Sequence, residues 1–304
     1  NINSFDWDSA LCTTYGVPQE ALPPVDTVGG ELFQNAFLKG THTPLLTITD
    51  QPAALYGHEC HKAGMMKATL GTGAFILAHA GNGFVDRTEA GLTTSIAWQI
   101  DRENPIFAVD GAVYNAASAV NWARSLGLFY VFSEIDAFTG PPAIERGLIF
   151  VPALSGLAAP HWDRSAAGLW WGLGLDVEPL DLARSVLEGV ALRCTQIIAA
   201  LDTDQTTQED LYIDGGLSQS QYLAQFLADA TGKRVATRRS VEMTAFGCAD
   251  IVAKAFFQRN LPPIPERGIS AIFEPQSVDR RVWMERFLKG IERSRGHSEI
   301  RASD

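Results

Sequence analysis

The sequence predicts an α/β domain in which helices pack on the faces of a mixed β-sheet. Three observations carry this expectation. Residues 65–113 hold four β-type segments, MMKATL, GAFILAHA, TTSIAWQI and PIFAVDGAV, separated by Gly, Asn or charged turns with no helix between them. Beyond residue 113 helical patterns alternate with short strands. The stretch 179–201 repeats Leu180, Leu187, Val190, Cys194, Ile197, Ile198 and Leu201 at three- and four-residue spacing, as an amphipathic helix does.

In chain order, residues 5–40 read as short helices and loops punctuated by PQEALPPV. PLLTITD is a compact apolar run and reads as a buried strand ending at Asp50, followed by a small-residue helix, AALYG. The four β-type segments then form an antiparallel meander. YNAASAVNWARSLG is a helix with Ala116, Val120 and Ala123 on one face. RGLIFVPAL and LWWGLGL are strands on either side of the loop SGLAAPHWDRSAAG. In the long helix 179–201, Arg184, Glu188 and Arg193 lie away from the apolar stripe. LYIDGG is a strand leading into a helix with Tyr222, Leu223, Phe226, Leu227 and Ala230 as its stripe, ending at Gly232. KRVATR and the helix VEMTAFGCADIVAKAFFQ follow. Antiparallel strands first, then helix, strand, helix, strand, helix, is the order of a ribonuclease H-like domain. The C-terminal Arg280, Arg281, Arg286, Lys289, Arg293 and Arg295 alternate with Asp279, Glu285 and Glu292, and read as a solvated helix face with a tail.

Composition narrows the partners. The 304 residues are 46% hydrophobic and 19% charged, which excludes collagen-like, disordered and disulfide-scaffold classes. A net charge of -11 argues against nucleic acid and anionic membrane surfaces. Cys12, Cys60, Cys194 and Cys248 show no paired spacing, as expected of reduced thiols in a cytoplasmic protein, and no run of 18 apolar residues suggests a membrane span. The start, NINSFDWDSALC, reads as mid-protein sequence, so further chain is expected upstream.

Four places could carry chemistry. Asp50, at the carboxyl end of a buried strand beside a helix start, is placed to act as a general base, or else as the N-cap of AALYG with Pro52 near its first position. Gly71-Thr72-Gly73 is followed by a β-type run and not by a helix, so it is a strand-to-strand turn. Such a turn offers amides and a hydroxyl to a phosphate, or is a plain hairpin. Asp214-Gly215-Gly216-Leu217-Ser218 lies between strand and helix, where glycines admit close approach of a nucleotide edge, or form a tight turn capped by Ser218. His58, Cys60 and His61 in HECH, with His42 and His79, are too cramped in spacing for a zinc site, and no metal ligand is assigned. No G-x-S-x-G elbow or P-loop is present.

In order and wording, ITDQPAALYG, KATLGTGAFILAHAG, AVDGAVYNAASAVNWARSLG, FVPALSGLAAPHWD, GLWWGLGLDVEPLDLARSVLEG, IDGGLSQSQYLAQFLAD and EMTAFGCADIVA resemble the FGGY carbohydrate kinases over nearly the whole chain. The resemblance implies a fold of the actin-like ATPase superfamily and ATP-dependent phosphotransfer, assisted by Mg²⁺, to a primary hydroxyl of a small polyol, glycerol first. The alternatives are a nucleotide-binding module without turnover and a kinase of another sugar or polyol. It implies Asp50 as the catalytic base, Gln51 and Phe75 beside the acceptor, and Gly71, Thr72, Ala117, Asn121, Gly216, Leu217 and Ser220 around the nucleotide. Ala117, Asn121 and Ser220 stand where the family usually has glycine, glutamine and asparagine. Residues 1–57 would be the end of a first domain, 58–275 a complete second one and 276–304 a C-terminal helix and tail. The D-x-G-T phosphate loop of the family's first domain has no match here. A homo-oligomer is compatible with the resemblance.

Overall fold

A computed structural model of the chain describes residues 1–30, 46–100, 104–202 and 210–296. The described strands are β1 (Met66–Leu70), β2 (Ala74–Gly81), β3 (Thr93–Trp98), β4 (Ile106–Val113), β5 (Ile149–Val151), β6 (Leu169–Trp171), β7 (Asp210–Asp214), β8 (Arg234–Arg238) and β9 (Ile269–Phe273). Seven of them form one mixed sheet in the order β3-β4-β2-β1-β7-β8-β9, while β5 and β6 make a separate antiparallel ribbon.

The first four strands are antiparallel, but they do not form the expected meander. β4 pairs with both β2 and β3, so it lies between them. The chemistry of the strands explains this order. β2 and β4 are mostly apolar and largely buried, which suits central positions, whereas β3 begins Thr93-Thr94-Ser95 with partly exposed side chains, which suits a sheet edge. β1 then pairs in parallel with β7, and β7 with β8. β9, which the local pattern does not announce, closes the other edge antiparallel to β8.

The described helices are α1 (Ser9–Tyr15), α2 (Asp50–Gly57), α3 (Ala117–Ser125), α4 (Pro179–Leu201), α5 (Gln221–Thr231), α6 (Met243–Phe257) and α7 (Arg280–Ser294). On one sheet face Met66, Leu70, Ile76, Val113 and Ile213 meet α3, α4, α5 and α7 in the larger core. On the other face Leu77, Ala108 and Tyr212 meet α2 and α6 through Leu55, Tyr56 and Ile251. α2 and α6 touch backbone to backbone: a Cβ added to Gly247 would run into the Ala53 carbonyl oxygen, and one on Gly57 into the Met243 carbonyl oxygen.

Three expectations are corrected. Of the expected PLLTITD strand, Pro44 and Leu45 lie outside the described residues, and Leu46–Thr49 is extended chain in no described sheet. It is not buried as a run either: Leu46 and Ile48 pack on the second core while Thr47 and Thr49 face solvent. The three charged residues of α4 that lie away from its apolar stripe do not face solvent. Arg184, Glu188 and Arg193 are buried, while Leu180 of the supposed apolar stripe is 41% exposed. Arg184 donates to Tyr222 Oη (2.7 Å) and to the Thr139 and Gly140 carbonyls (both 3.1 Å), and Glu188 accepts from the amides of Ala143 (2.8 Å) and Ile144 (2.9 Å). A charge on a buried helix here binds loop backbone that has no sheet partner. The C-terminal helix, finally, is more than a solvated face. Trp283, Phe287 and Ile291 enter the main core, Arg286 donates to the Ile144 and Glu145 carbonyls, and Arg293 lies over the Trp171 ring at 4.0 Å.

Candidate functional site

β1 and β7 are adjacent and parallel, so their carboxyl ends open on one crevice, the place where ligands bind in sheets of this kind. α2 starts there. Thr49 is its N-cap and Asp50 its first residue, so Asp50 is neither the end of a strand nor the cap, and Pro52 is the third helical residue. A carboxylate in the first turn is favoured by the exposed amides and the helix dipole, and proline is tolerated there. Asp50 is exposed. Its Oδ1 accepts from the Gln51 amide at 2.9 Å and its Oδ2 from Gln51 Nε2 at 3.0 Å.

Beneath this carboxylate lies a buried polar row that sequence reasoning missed. Lys67, the second residue of β1, is wholly buried. It donates to Gln51 Oε1, a short contact, and to Thr69 Oγ1 at 2.7 Å. Burial pulls its ammonium down to about 8 against the opposing charges of Asp214, Asp50 and Asp110. Burial likewise pushes the Asp110 carboxyl up to about 6, with Lys67 opposing. Asp214, opposite Thr69 across the strand pair, meets His58 Nε2 at 3.1 Å. The available signal was a lone lysine inside an apolar strand, where its neighbours Met66 and Ala68 point to the opposite face. Phe75 is the cross-strand partner of Thr69 and is 40% exposed on that same face.

The Gly71-Thr72-Gly73 segment is a hairpin turn between β1 and β2. Its carbonyls cap α3: Ala117 N donates to Gly71 O (2.9 Å), and Ala116 N (3.0 Å) and Ser118 N (3.1 Å) donate to Thr72 O. Beyond the hairpin, a cavity of about 570 Å³ gathers Ala117, Asn121, Gly216, Leu217 and Ser220, with Phe132, Ile135, Asp136 and Leu187 among its other walls. Gly215 makes this wall possible. Its φ is +84°, and an added Cβ would sit 2.7 Å from the Leu70 carbonyl. A Cβ on Gly216 would meet nothing within 4 Å. The cap of the following helix is Ser220, which accepts from Leu223 N at 3.2 Å, and not Ser218, whose hydroxyl turns back to the Gly215 carbonyl at 2.7 Å.

The HECH residues do not converge. His58 faces Asp214, Cys60 is buried with its thiol pushed up to about 12, and His61 lies on Tyr56, while His79 packs on Trp98. His42 lies outside the described residues. Among the described residues no three His, Cys, Asp or Glu side chains are grouped as a metal site.

Residues 66–256, from β1 to α6, match the C-terminal domain of the FGGY family of carbohydrate kinases. The chain belongs to this family. Its curated relatives include the glycerol kinase of Alkalilimnicola ehrlichii, 36% identical over 91% of this chain and 56% of that protein, and the glycerol kinase of a Nostoc species, 32% identical over 90% and 57%. The chain thus spans little more than half the length of these relatives. Among solved structures, the glycerol kinase of Plasmodium falciparum with ADP superposes at a TM-score of 0.79 with 26% identity, covering 97% of this chain and 60% of that one. The ligand-bound xylulose kinase of Lactobacillus acidophilus superposes at 0.78 with 19% identity over 100% of this chain and 62% of that one. The mixed sheet with helices on both faces is the ribonuclease H-like, actin-like ATPase fold of FGGY kinases. No described helix is long and apolar enough to cross a membrane.

Proposed function

We propose that the full-length protein transfers the γ-phosphoryl group of ATP to a primary hydroxyl of a small polyol, glycerol in the first place, with Asp50 as general base. The Asp50 carboxylate takes the hydroxyl proton, the oxygen attacks the γ-phosphorus in line, and ADP departs. The observation that carries this reading is that Asp50, exposed at the first position of α2, is held over the carboxyl ends of β1 and β7 by Gln51 and Lys67. The names of the curated relatives favour glycerol, and Gln51 and Phe75 are the residues assigned to the acceptor.

The cavity suits a nucleoside in size and chemistry. Its walls are apolar at Val120, Ile135, Leu187 and Leu217 and polar at Asn121, Asp136 and Ser220, and the bare backbone at Gly216 lets a flat ring approach. That the Plasmodium relative was solved with ADP supports an adenine nucleotide as the ligand of this family. Because the amides at the start of α3 are taken by the Gly71 and Thr72 carbonyls, we assign the phosphates to the amides of the Gly71-Gly73 turn itself and to the Thr72 hydroxyl at its exposed tip. Magnesium would neutralise phosphate charge in such a transfer; it would arrive with the nucleotide and be held mainly by its phosphates and water.

We keep residues 1–57 as the end of a first domain, docked on the second where α2 meets α6, and 276–304 as a terminal segment whose helix α7 packs into the main core. A cytoplasmic location and self-association remain part of this proposal. ADP release from the full-length protein with ATP and a panel of polyols and sugars tests the reaction. Asp50→Asn is expected to abolish release while ATP still binds, and an active Asp50→Asn protein overturns the assignment of the base. On the 304-residue chain alone, nucleotide binding without release is the outcome that favours a binding module.

A further inference from the structure

Lys67 is a charged group that this chemistry leaves without a task. It cannot be the base or a ligand of the acceptor, because its side chain is wholly buried beneath α2. Its hydrogen bonds nevertheless run toward the site, to Gln51 Oε1 and Thr69 Oγ1.

A glutamine carboxamide has an oxygen end that only accepts and a nitrogen end that only donates, and exchanging them by a half-turn costs little unless a neighbour distinguishes them. Here two neighbours of opposite character do so. The ammonium, a donor without acceptor capacity, takes Oε1, and this leaves Nε2 as the end that donates to Asp50 Oδ2 at 3.0 Å. In the exchanged orientation an N–H would point at the ammonium and a carbonyl oxygen at the carboxylate, so both contacts would repel.

We propose that Lys67 is a positioning residue for phosphoryl transfer: by fixing the Gln51 carboxamide it fixes the direction of the Asp50 carboxylate. Thr69 Oγ1 is the second anchor of the ammonium and keeps it under Gln51. The charged groups around the ammonium are Asp50 of α2, Asp110 of β4 and Asp214 of β7, with the Cys60 thiol after α2. Methionine, an unbranched apolar side chain one atom shorter, fills the space of the Lys67 stem but leaves Gln51 free to turn. This inference rests on the reading of Asp50 as the base.

The test is a double-mutant cycle on turnover in the full-length protein with Lys67→Met, Gln51→Leu, the double variant, and Asp50→Asn as reference. Lys67→Met is expected to lower kcat by about 10²-fold, the scale of a small misplacement of a catalytic group, with the KM for ATP unchanged. In the Gln51→Leu background the same substitution should cost less than about twofold, because both act through one contact. Losses that multiply, or a Lys67→Met protein with wild-type kcat beside a dead Asp50→Asn protein, overturn the positioning role alone. An active Asp50→Asn protein overturns the underlying reading, and the inference with it. Should Lys67→Met fail to fold, Thr69→Val replaces it in the cycle, with the same non-additivity expected and multiplying losses counting against the proposal.

Discussion

His58 Nε2 lies 3.1 Å from Asp214 Oδ2, with both side chains buried where the end of α2 meets the end of β7. Burial holds the imidazole below its ordinary 6.5. Burial alone would raise the Asp214 carboxyl, but the hydrogen bond and charge of His58, the Lys67 charge and the Thr69 hydroxyl outweigh it and hold the group below 3.8. Both groups therefore bind fewer protons folded than unfolded. Their contribution to stability is fully present above pH 6.5 and is lost as pH falls, first through the His58 range below 6.5 and then through the Asp214 range below 3.8. His58→Gln, which keeps a donor but cannot titrate, should flatten the first limb. Urea midpoints taken from about pH 7 down to about pH 5 check this, and an unchanged slope counts against it.

The contact of α2 with α6 makes a second prediction, this time about the placement of Asp50. A Cβ on Gly247 would meet the Ala53 carbonyl carbon at 2.7 Å and the Gly57 nitrogen at 2.9 Å, which are main-chain atoms that cannot rotate away. Gly247→Ala should therefore push the helices apart and destabilise the protein by about 1–3 kcal/mol, read as a lower urea midpoint. Because α2 carries Asp50 at its first residue, kcat should fall in the same variant. Wild-type stability and turnover together would show that the helices separate without cost.

Local pattern was enough to place the four early strands, and it set the bounds of α4 at the observed Pro179–Leu201, because alternation and three-to-four spacing are properties of neighbouring residues. It could not order the strands: β4 enters between β2 and β3 because of which edges need burying, and that is decided in the assembled sheet. The short β9 was invisible for the same reason, since its five residues are mostly exposed and acquire meaning only against β8. Buried charges misled most. Helical spacing sends Arg184 and Glu188 to solvent unless the loop at 139–144 is known to need their hydrogen bonds, and Lys67 looks like an interruption of a strand until Gln51 is seen above it. At the site the glycine turns were legible, because glycine marks backbone shape. The network beneath Asp50 was not, because it joins α2, β1 and β7, segments far apart in the sequence.

Gly216 separates nucleotide binding from folding. A Cβ there meets no atom within 4 Å, yet the residue lines the cavity of about 570 Å³ with Ala117, Asn121 and Ser220. Gly216→Val should leave the urea midpoint within about 0.5 kcal/mol of wild type, as a substitution into open space does. It should weaken ADP binding at least about tenfold, a loss of about 1.4 kcal/mol, by occupying part of the space assigned to the nucleoside. Calorimetric titration with ADP decides the matter. Undiminished binding would move the nucleotide away from this wall.

Lys67 gives a pH signature of the same sign as His58 and Asp214, displaced to the alkaline side. Its ammonium titrates at about 8 in the folded chain against an ordinary 10.5, because burial penalises the charge more than the surrounding carboxylates favour it. Between these two values the unfolded chain holds the proton and the folded chain has released it. Stability relative to a variant without the group should therefore rise with pH from about 8 to about 10.5 and be flat below that window, where both states are protonated. Lys67→Met supplies the reference, since it removes the titration and keeps the apolar stem. The difference in urea midpoint between wild type and Lys67→Met, followed across the window, should move steadily in favour of wild type. A constant difference would mean that the folded protein keeps Lys67 charged throughout, with the carboxylates of Asp50, Asp110 and Asp214 outweighing its burial.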